Sequence, residues 1–283
     1  MSKTVRIVPR LDIKGSNLVK GIHLEGLRVL GAPEEFARYY YEQGADELLY
    51  MDIVASLYNR NSLHTFVTRT ARDIFIPLIV GGGLRTIDDI RAILCAGADK
   101  VCLNTAAVNN EEIIRDASRT FGSSTVVVSI EAIRQPNGVY LVYTDNGRQD
   151  TGREVVAWAR RAAELGAGEI LVTSVDREGT GKGYDLVLTR AVTDAVSIPV
   201  IACGGAGSAE DVAQVVKEGH ADAISLASVL HYDFVGRHPT PDSHSGEGNR
   251  AFLQSGKSFS TIRPLGLREL KERVMAAGVV CRS

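Results

Sequence analysis

The sequence predicts a closed (β/α)8 barrel, an α/β fold of the TIM type, built from two related halves. The first observation is that the chain writes one stretch twice. Ile76-Pro77-Leu78-Ile79-Val80 returns as Ile198-Pro199-Val200-Ile201-Ala202, Gly82-Gly83 as Gly204-Gly205, and Thr86 with Asp89 as Ser208 with Asp211, an offset of 122 from Pro77 to Pro199. The second is that short apolar runs alternate with helical segments, the mark of a parallel sheet covered on both faces. The third is that each half holds four such units. Two halves of four close into a ring, whereas an open doubly wound sheet leaves the repeat unexplained.

Taken in order, Val5 to Leu11 reads as strand one, ending in Asp12-Ile13-Lys14, and a polar stretch from Gly15 to Gly31 reads as a long loop of the functional or mobile kind. Helix Pro33 to Gln43, strand Glu47 to Asp52 and helix Leu63 to Asp73 follow. The first repeat unit then gives strand Leu78 to Val80, a glycine turn, a helix with Thr86 as N-cap and acids in its first turn, and strand Val101 to Leu103. After helix Glu111 to Thr120, strand five runs from Thr125 to Glu131, and a β-hairpin is expected over Arg134 to Asp150 because Val139 to Tyr143 lies between two Asn-Gly turns. Helix Arg153 to Leu165, strand Glu169 to Thr173 and helix Asp185 to Ala195 precede the second repeat unit, with strands Val200 to Ala202 and Ala223 to Leu226. Leu265 to Ala277 closes the chain as a helix.

A chain of 283 residues with 45% hydrophobic content can bury one large core, and the single-domain reading takes all of it, 1–283. A net charge of −2 gives no general reason to expect nucleic acid or a membrane surface as partner, so anions must be caught locally. Cys95, Cys102, Cys203 and Cys281 have no metal-ligand spacing and read as reduced thiols. Nothing before Val5 reads as a signal peptide, and a cytoplasmic enzyme is the expectation.

Glycines between a strand's end and a helix start let backbone N–H groups converge on an anion. A lone Gly-Gly is usually no more than a tight turn, but here the motif is duplicated, which predicts two phosphate sites on one face and a ligand with a phosphate at each end. Strand ends are where chemistry sits in such a barrel. They carry Asp12, Asp52, Gly81 to Gly83, Asn104-Thr105, Glu131, Thr173 to Asp176, Gly204-Gly205 and Ala227-Ser228. Asp12 ends strand one and Glu131 ends strand five, so the duplication sets two carboxylates across the mouth, a workable general acid and general base. Lys20 and Asp52 are candidates for phosphate contact and for support of the site. Cys203 stands where the first copy has glycine and reads as a small packing residue within reach of ligand.

At the opposite face, where strands start, lie Arg6, Glu47, Lys100 and Glu169. These read as a ring of ion pairs sealing the barrel floor, or as a polar gate with a partner docked over it. The stretch 233–261, rich in Gly, Ser, Pro and His, reads as a flexible insertion leaving from the active face, able to cover the phosphate site beside Ser228. His231, His238 and His244 are irregularly spaced with no acids to complete a set, so no metal and no cofactor is expected.

These residues resemble a known family, the cyclase subunit of imidazole glycerol phosphate synthase in histidine biosynthesis. Leu11-Asp12-Ile13-Lys14, Val19-Lys20-Gly21, Gly81-Gly82-Gly83, Gly97 to Val101, Asn104 to Val108, Gly166 to Leu171 and Gly204 to Gly207 carry the resemblance, which covers about Val5 to Tyr232 and Leu265 to Val279. It implies a half-barrel duplication and a bisphosphate aminoimidazole carboxamide ribonucleotide as substrate. It further implies a glutaminase subunit at the N-terminal face, sending ammonia through the barrel to a pair of carboxylates at the top. Asp12 would be one catalytic acid. Gly82, Gly83, Asn104 and Thr105 would hold one phosphate, and Gly204, Gly205, Ala227 and Ser228 the other. Arg6, Glu47, Lys100 and Glu169 match the family's gate, and Asp99 matches a docking position.

The chain departs from that pattern at four places. Glu131 stands for the second catalytic Asp. Asp176-Arg177-Glu178-Gly179-Thr180 stands for Asp-Arg-Asp-Gly-Thr, which places Glu178 and Gly179 beside Thr173 in the binding set. Cys203 stands for a serine, and the stretch 233–261 is additional. Each Glu moves its carboxylate on the order of 1 Å, which can cost about a hundredfold in rate. Glu131 and the insertion are compatible with two other readings, a paralogous barrel that uses ammonia to install amidine groups on surface-polysaccharide sugars, and a scaffold that activates a glutaminase. The retained Asp12 favours the histidine enzyme.

Overall fold

A computed structural model of the chain describes residues 4–55, 63–238 and 261–282. Eight parallel strands close on themselves: β1 (Thr4–Lys14), β4 (Leu48–Asp52), β5 (Leu78–Gly81), β6 (Lys100–Leu103), β7 (Val126–Arg134), β10 (Glu169–Ser174), β11 (Val200–Cys203) and β12 (Ala223–Leu226). Strands β12 and β1 pair with Arg6 opposite Ala223, and β7 pairs with β10 with Glu131 opposite Thr173, so the ring has no free edge. Two antiparallel hairpins stand on its rim. One is β2 (Asn17–Ile22) with β3 (Glu25–Gly31), the other β8 (Tyr140–Thr144) with β9 (Gln149–Glu154). A short β13 (Val280–Cys281) pairs with the start of β1.

The helices wrap the outside: α1 (Pro33–Glu42), α2 (His64–Asp73), α3 (Ile87–Cys95), α4 (Thr105–Asn109), α5 (Glu112–Phe121), α6 (Val155–Glu164), α7 (Leu186–Thr193), α8 (Ala209–Lys217), α9 (Ser228–Arg237) and α10 (Leu267–Ala276). Among the described residues none is long and apolar enough to cross a membrane. The predicted N-caps form at both copies. Thr86 and Ser208 each accept the amide of the Asp three residues on, and that Asp accepts the cap's own N–H.

Period-two alternation sorts each strand into two cores. On β1, Val5, Ile7, Leu11 and Ile13 face out to the helices, while Val8 faces in and packs with Leu49, Ile79, Val127, Leu171, Ile201 and Ala223 across the ring interior. An apolar plug therefore separates the floor of the barrel from its mouth.

Two expectations need correction. The stretch from Gly15 to Gly31 is not a loop but the β2/β3 hairpin, with Asp12 paired to Val19 as Glu131 is paired to Tyr143 in the second half. Its glycines punctuate an antiparallel ladder, and Gly21 is needed where the carbonyl of Glu25 would lie 2.2 Å from a Cβ. The stretch 233–261 does not begin as a flexible segment: Asp233 to Arg237 are the second half of α9, with Asp233 half of an i,i+4 ion pair to Arg237. Residues 239–260 lie outside the described residues, as does the covering role read for them. The chain is anchored again at Thr261, whose hydroxyl donates to the Thr180 carbonyl.

Candidate active site at the barrel mouth

Positions around the ring fix the geometry. Strands β1 and β7 are four steps apart in either direction, and so are β5 and β11. Asp12 and Glu131 therefore end opposed strands on one diameter, and the two glycine turns lie on another, all four at the C-terminal face. Both turns are built alike. Gly82 has φ +99° and Gly204 φ +92°, and a Cβ would lie 2.3 Å from the carbonyl oxygen of Asp52 in the first case and 2.7 Å from that of Ser174 in the second.

The two cradles differ in what fills them. A cavity of about 290 Å³ opens on the first, lined by Asp52, Gly82, Gly83, Asn104, Thr105 and Glu131, together with Arg85, Cys102, Ser129 and Asp145. The second is nearly closed, about 10 Å³, and lined by Arg10, Glu178, Gly179, Cys203, Gly204, Gly205, Ala227 and Ser228. The Glu178 carboxylate lies across it, 3.3 Å from where a Cβ on Gly204 would sit, and bonds the buried Lys20 ammonium. Gly179 touches the hairpin backbone, with the Gly21 carbonyl 2.4 Å from its notional Cβ, so β2/β3 folds down over this side.

Asp12 lies within a buried chain of charges and lines neither cavity. Its Oδ1 accepts from Arg10 Nε at 2.7 Å, and its Oδ2 is 4.0 Å from Lys20 Nζ. Arg10 reaches across the ring to Thr173 Oγ1 at 3.4 Å and Cys203 Sγ at 3.6 Å. Burial works against the Arg10 and Lys20 charges, but the carboxylates of Asp12 and Glu178 outweigh it and raise both. Among the described residues Glu131 has no cation in ion-pair contact. Burial pushes its carboxyl up to about 7, against the Gly147 N–H that donates to Oε2 at 2.7 Å and the more distant Arg10. Burial likewise raises the Cys203 thiol and takes Cys102 to about 12, so neither is a nucleophile.

At the floor, the four predicted residues meet in one ring of alternating charge. Arg6 lies 2.6 Å from Glu47 and 2.9 Å from Glu169, and Lys100 3.3 and 3.2 Å from the same two. Asp99, the expected docking residue, lies at this same face, just before β6. It is exposed, but its Oδ2 accepts the Leu78 amide at 2.9 Å, as Asp222 accepts Val200 and Asp46 accepts Ile7, so one oxygen staples the start of a strand. Among the described residues no group of three His, Cys, Asp or Glu could hold a metal ion. His231 is buried with Nδ1 2.6 Å from Tyr40 Oη and is driven down to about 3 by burial. His238 stacks on Phe234, and His244 lies outside the described residues.

A family model described as "Histidine biosynthesis protein" matches residues 6–235, most of the chain. The chain belongs to that family. It is 59% identical over 207 residues to the imidazole glycerol phosphate synthase subunit HisF of Legionella pneumophila, which spans 73% of this chain and 98% of the relative. It is 50% identical over 232 residues to the subunit of the same name from Alkaliphilus metalliredigens (strain QYMF), spanning 82% of this chain and 92% of the relative.

Within this family member, sequence reasoning missed Arg10, Arg85, Ser129 and Asp145. Arg10 and Ser129 each lie two positions before a predicted acid, and the alternation that turns Asp12 inward turns Arg10 inward as well. Arg85 stands just before the Thr86 cap, and its guanidinium donates to the Ala55 carbonyl at 3.0 Å and lines the open cavity. Asp145 falls within the hairpin expected over Arg134 to Asp150. It follows β8 and meets Thr105, whose hydroxyl accepts its amide at 3.3 Å, and no local pattern announces that contact.

Proposed function

We infer that this chain is the cyclase subunit of imidazole glycerol phosphate synthase, a lyase of histidine biosynthesis that uses ammonia from a glutaminase partner. One observation carries the reading: two glycine cradles of the same build face each other on one rim, with Asp12 and Glu131 on the crossing diameter. A bisphosphate ribonucleotide stretched between the cradles lies over that acid pair. The first phosphate settles on Gly82, Gly83, Asn104 and Thr105 in the open cavity. The second takes the place of the Glu178 carboxylate over Gly204, Gly205, Ala227 and Ser228, with Lys20 as its counter-ion and Thr173 and Cys203 beneath. Asp52 supports the first cradle through its carbonyl. Ammonia addition, cleavage and ring closure need a proton donor and a proton acceptor, which the two carboxylates supply.

The glutaminase docks at the N-terminal face, where Arg6, Glu47, Lys100 and Glu169 form the gate. The test supplies nitrogen by two routes. With ammonium salt and the ribonucleotide bisphosphate, the wild-type chain turns over alone. With the glutaminase and glutamine, Lys100→Met loses most glutamine-driven turnover and keeps its ammonium-driven turnover. Absence of turnover by either route points to the sugar-amidating or scaffold reading instead.

A further inference from the structure

The duplication makes the two acids equivalent in backbone, yet their surroundings are not. Two residues before Asp12 stands Arg10, and two residues before Glu131 stands Ser129, both buried and both on inward positions. The guanidinium is held at both ends. Nε binds Asp12 Oδ1 at 2.7 Å on its own strand, and Nη1 reaches Thr173 on β10 and Cys203 on β11. A planar fork pinned in that way fixes the plane of the carboxylate it holds. Oδ1 is thereby committed, while Oδ2, 4.0 Å from Lys20, is not. Glu131 accepts the Gly147 N–H at 2.7 Å and is also bonded by the Asn104 amide, and among the described residues no cation pairs with it. The other groups acting on it are Arg10 and Asp145, with the Cys102 thiol alongside.

We propose that Arg10 is a positioning residue that breaks the two-fold symmetry of the acid pair, tying down Oδ1 of Asp12 so that Oδ2 accepts the proton and Glu131 is left to donate one. This rests on the cyclase reading and assigns the roles within it. As the ammonia-derived nitrogen bonds to carbon, its surplus proton passes to Asp12 Oδ2. The nitrogen leaving at the cleavage step takes the proton of the Glu131 carboxyl. One proton has then moved from Glu131 to Asp12; Glu131 is reprotonated by water in the open cavity, and the buried Asp12 gives its proton to solvent once the products have left. Cys203, where the resemblance expects serine, fits the same arrangement: its sulfur lies against the guanidinium that spans the ring.

The experiment is steady-state turnover with ammonium salt and the ribonucleotide bisphosphate in wild type, Arg10→Ala and Arg10→Lys, with guanidinium chloride titrated in. Arg10→Ala loses on the order of 100-fold in kcat, with KM changed less than about threefold, because a misplaced carboxylate costs transition-state and not ground-state binding. Guanidinium at millimolar concentration restores about tenfold of that loss to Arg10→Ala and nothing to wild type. Arg10→Lys, which keeps the buried charge and so guards against misfolding, falls between the two. A kcat for Arg10→Ala close to wild type, a loss confined to KM, or a loss without guanidinium rescue in a protein that melts normally overturns the proposal. Wild type without turnover removes the cyclase reading, and this inference with it, which is a separate outcome.

Discussion

Asp12→Asn is expected to abolish ammonium-driven turnover, with a loss of about 10²–10⁴-fold, the range for removing a positioned acid or base. The amide is the same size as the carboxylate, so the cradles keep their shape and ligand binding is retained. What is lost, on the proposed assignment, is the proton acceptor. A second consequence follows from burial. Arg10 is 3% exposed and Asp12 is its charged partner, so the variant leaves a guanidinium stranded inside the ring. Removing one member of a buried pair costs about 3–5 kcal/mol, and a lowered urea midpoint should accompany the loss of rate. Calorimetry with the bisphosphate separates the two effects: unchanged affinity with no turnover marks a chemical defect.

The second large effect is at Glu131. Its carboxyl, pushed up to about 7 by burial, is still largely protonated where an ordinary glutamate is not. With Glu131 as the proposed donor, wild-type kcat should fall as the pH rises through about 7. Glu131→Gln keeps a group that accepts the Gly147 N–H but has no proton to give. It should lose about 10²–10⁴-fold at neutral pH and show no limb near that value. Stability runs the other way. A raised folded-state pKa contributes stability that is fully present below about 4.5 and lost as the pH rises through about 7. The variant is free of that loss, so its urea midpoint should gain on wild type between pH 5 and pH 8. Reduced activity with rising relative stability is the signature of a group held against its preferred charge state for function.

Much of this was legible in the sequence because the chain repeats itself. The constant spacing from Pro77 to Pro199 fixes the strands, caps and glycine turns of one half once the other is read. The inward-facing acids and the four floor residues come from the same alternation. The β2/β3 hairpin was not read, although its counterpart after β7 was, because Gly15, Gly21 and Gly26 interrupt its alternation. Arg10 was not read because an arginine two residues from an acid is ordinarily a solvated surface pair. Only the closed ring, which brings Thr173 and Cys203 to face it, makes it interior. Asp99 carries no signal that its carboxylate is used by the Leu78 amide, since that contact is 21 residues away. The inequality of the cradles depends on where the Glu178 side chain lies, which spacing does not specify.

A crystal structure of the chain with the bisphosphate ribonucleotide tests the central claim most directly. One phosphate should sit on Gly82, Gly83 and Thr105, the other on Gly204, Gly205 and Ser228 with Glu178 swung aside, and the connecting atoms should lie between Asp12 and Glu131. A ligand held by one cradle alone with its second phosphate in solvent, or bound away from both carboxylates, contradicts it.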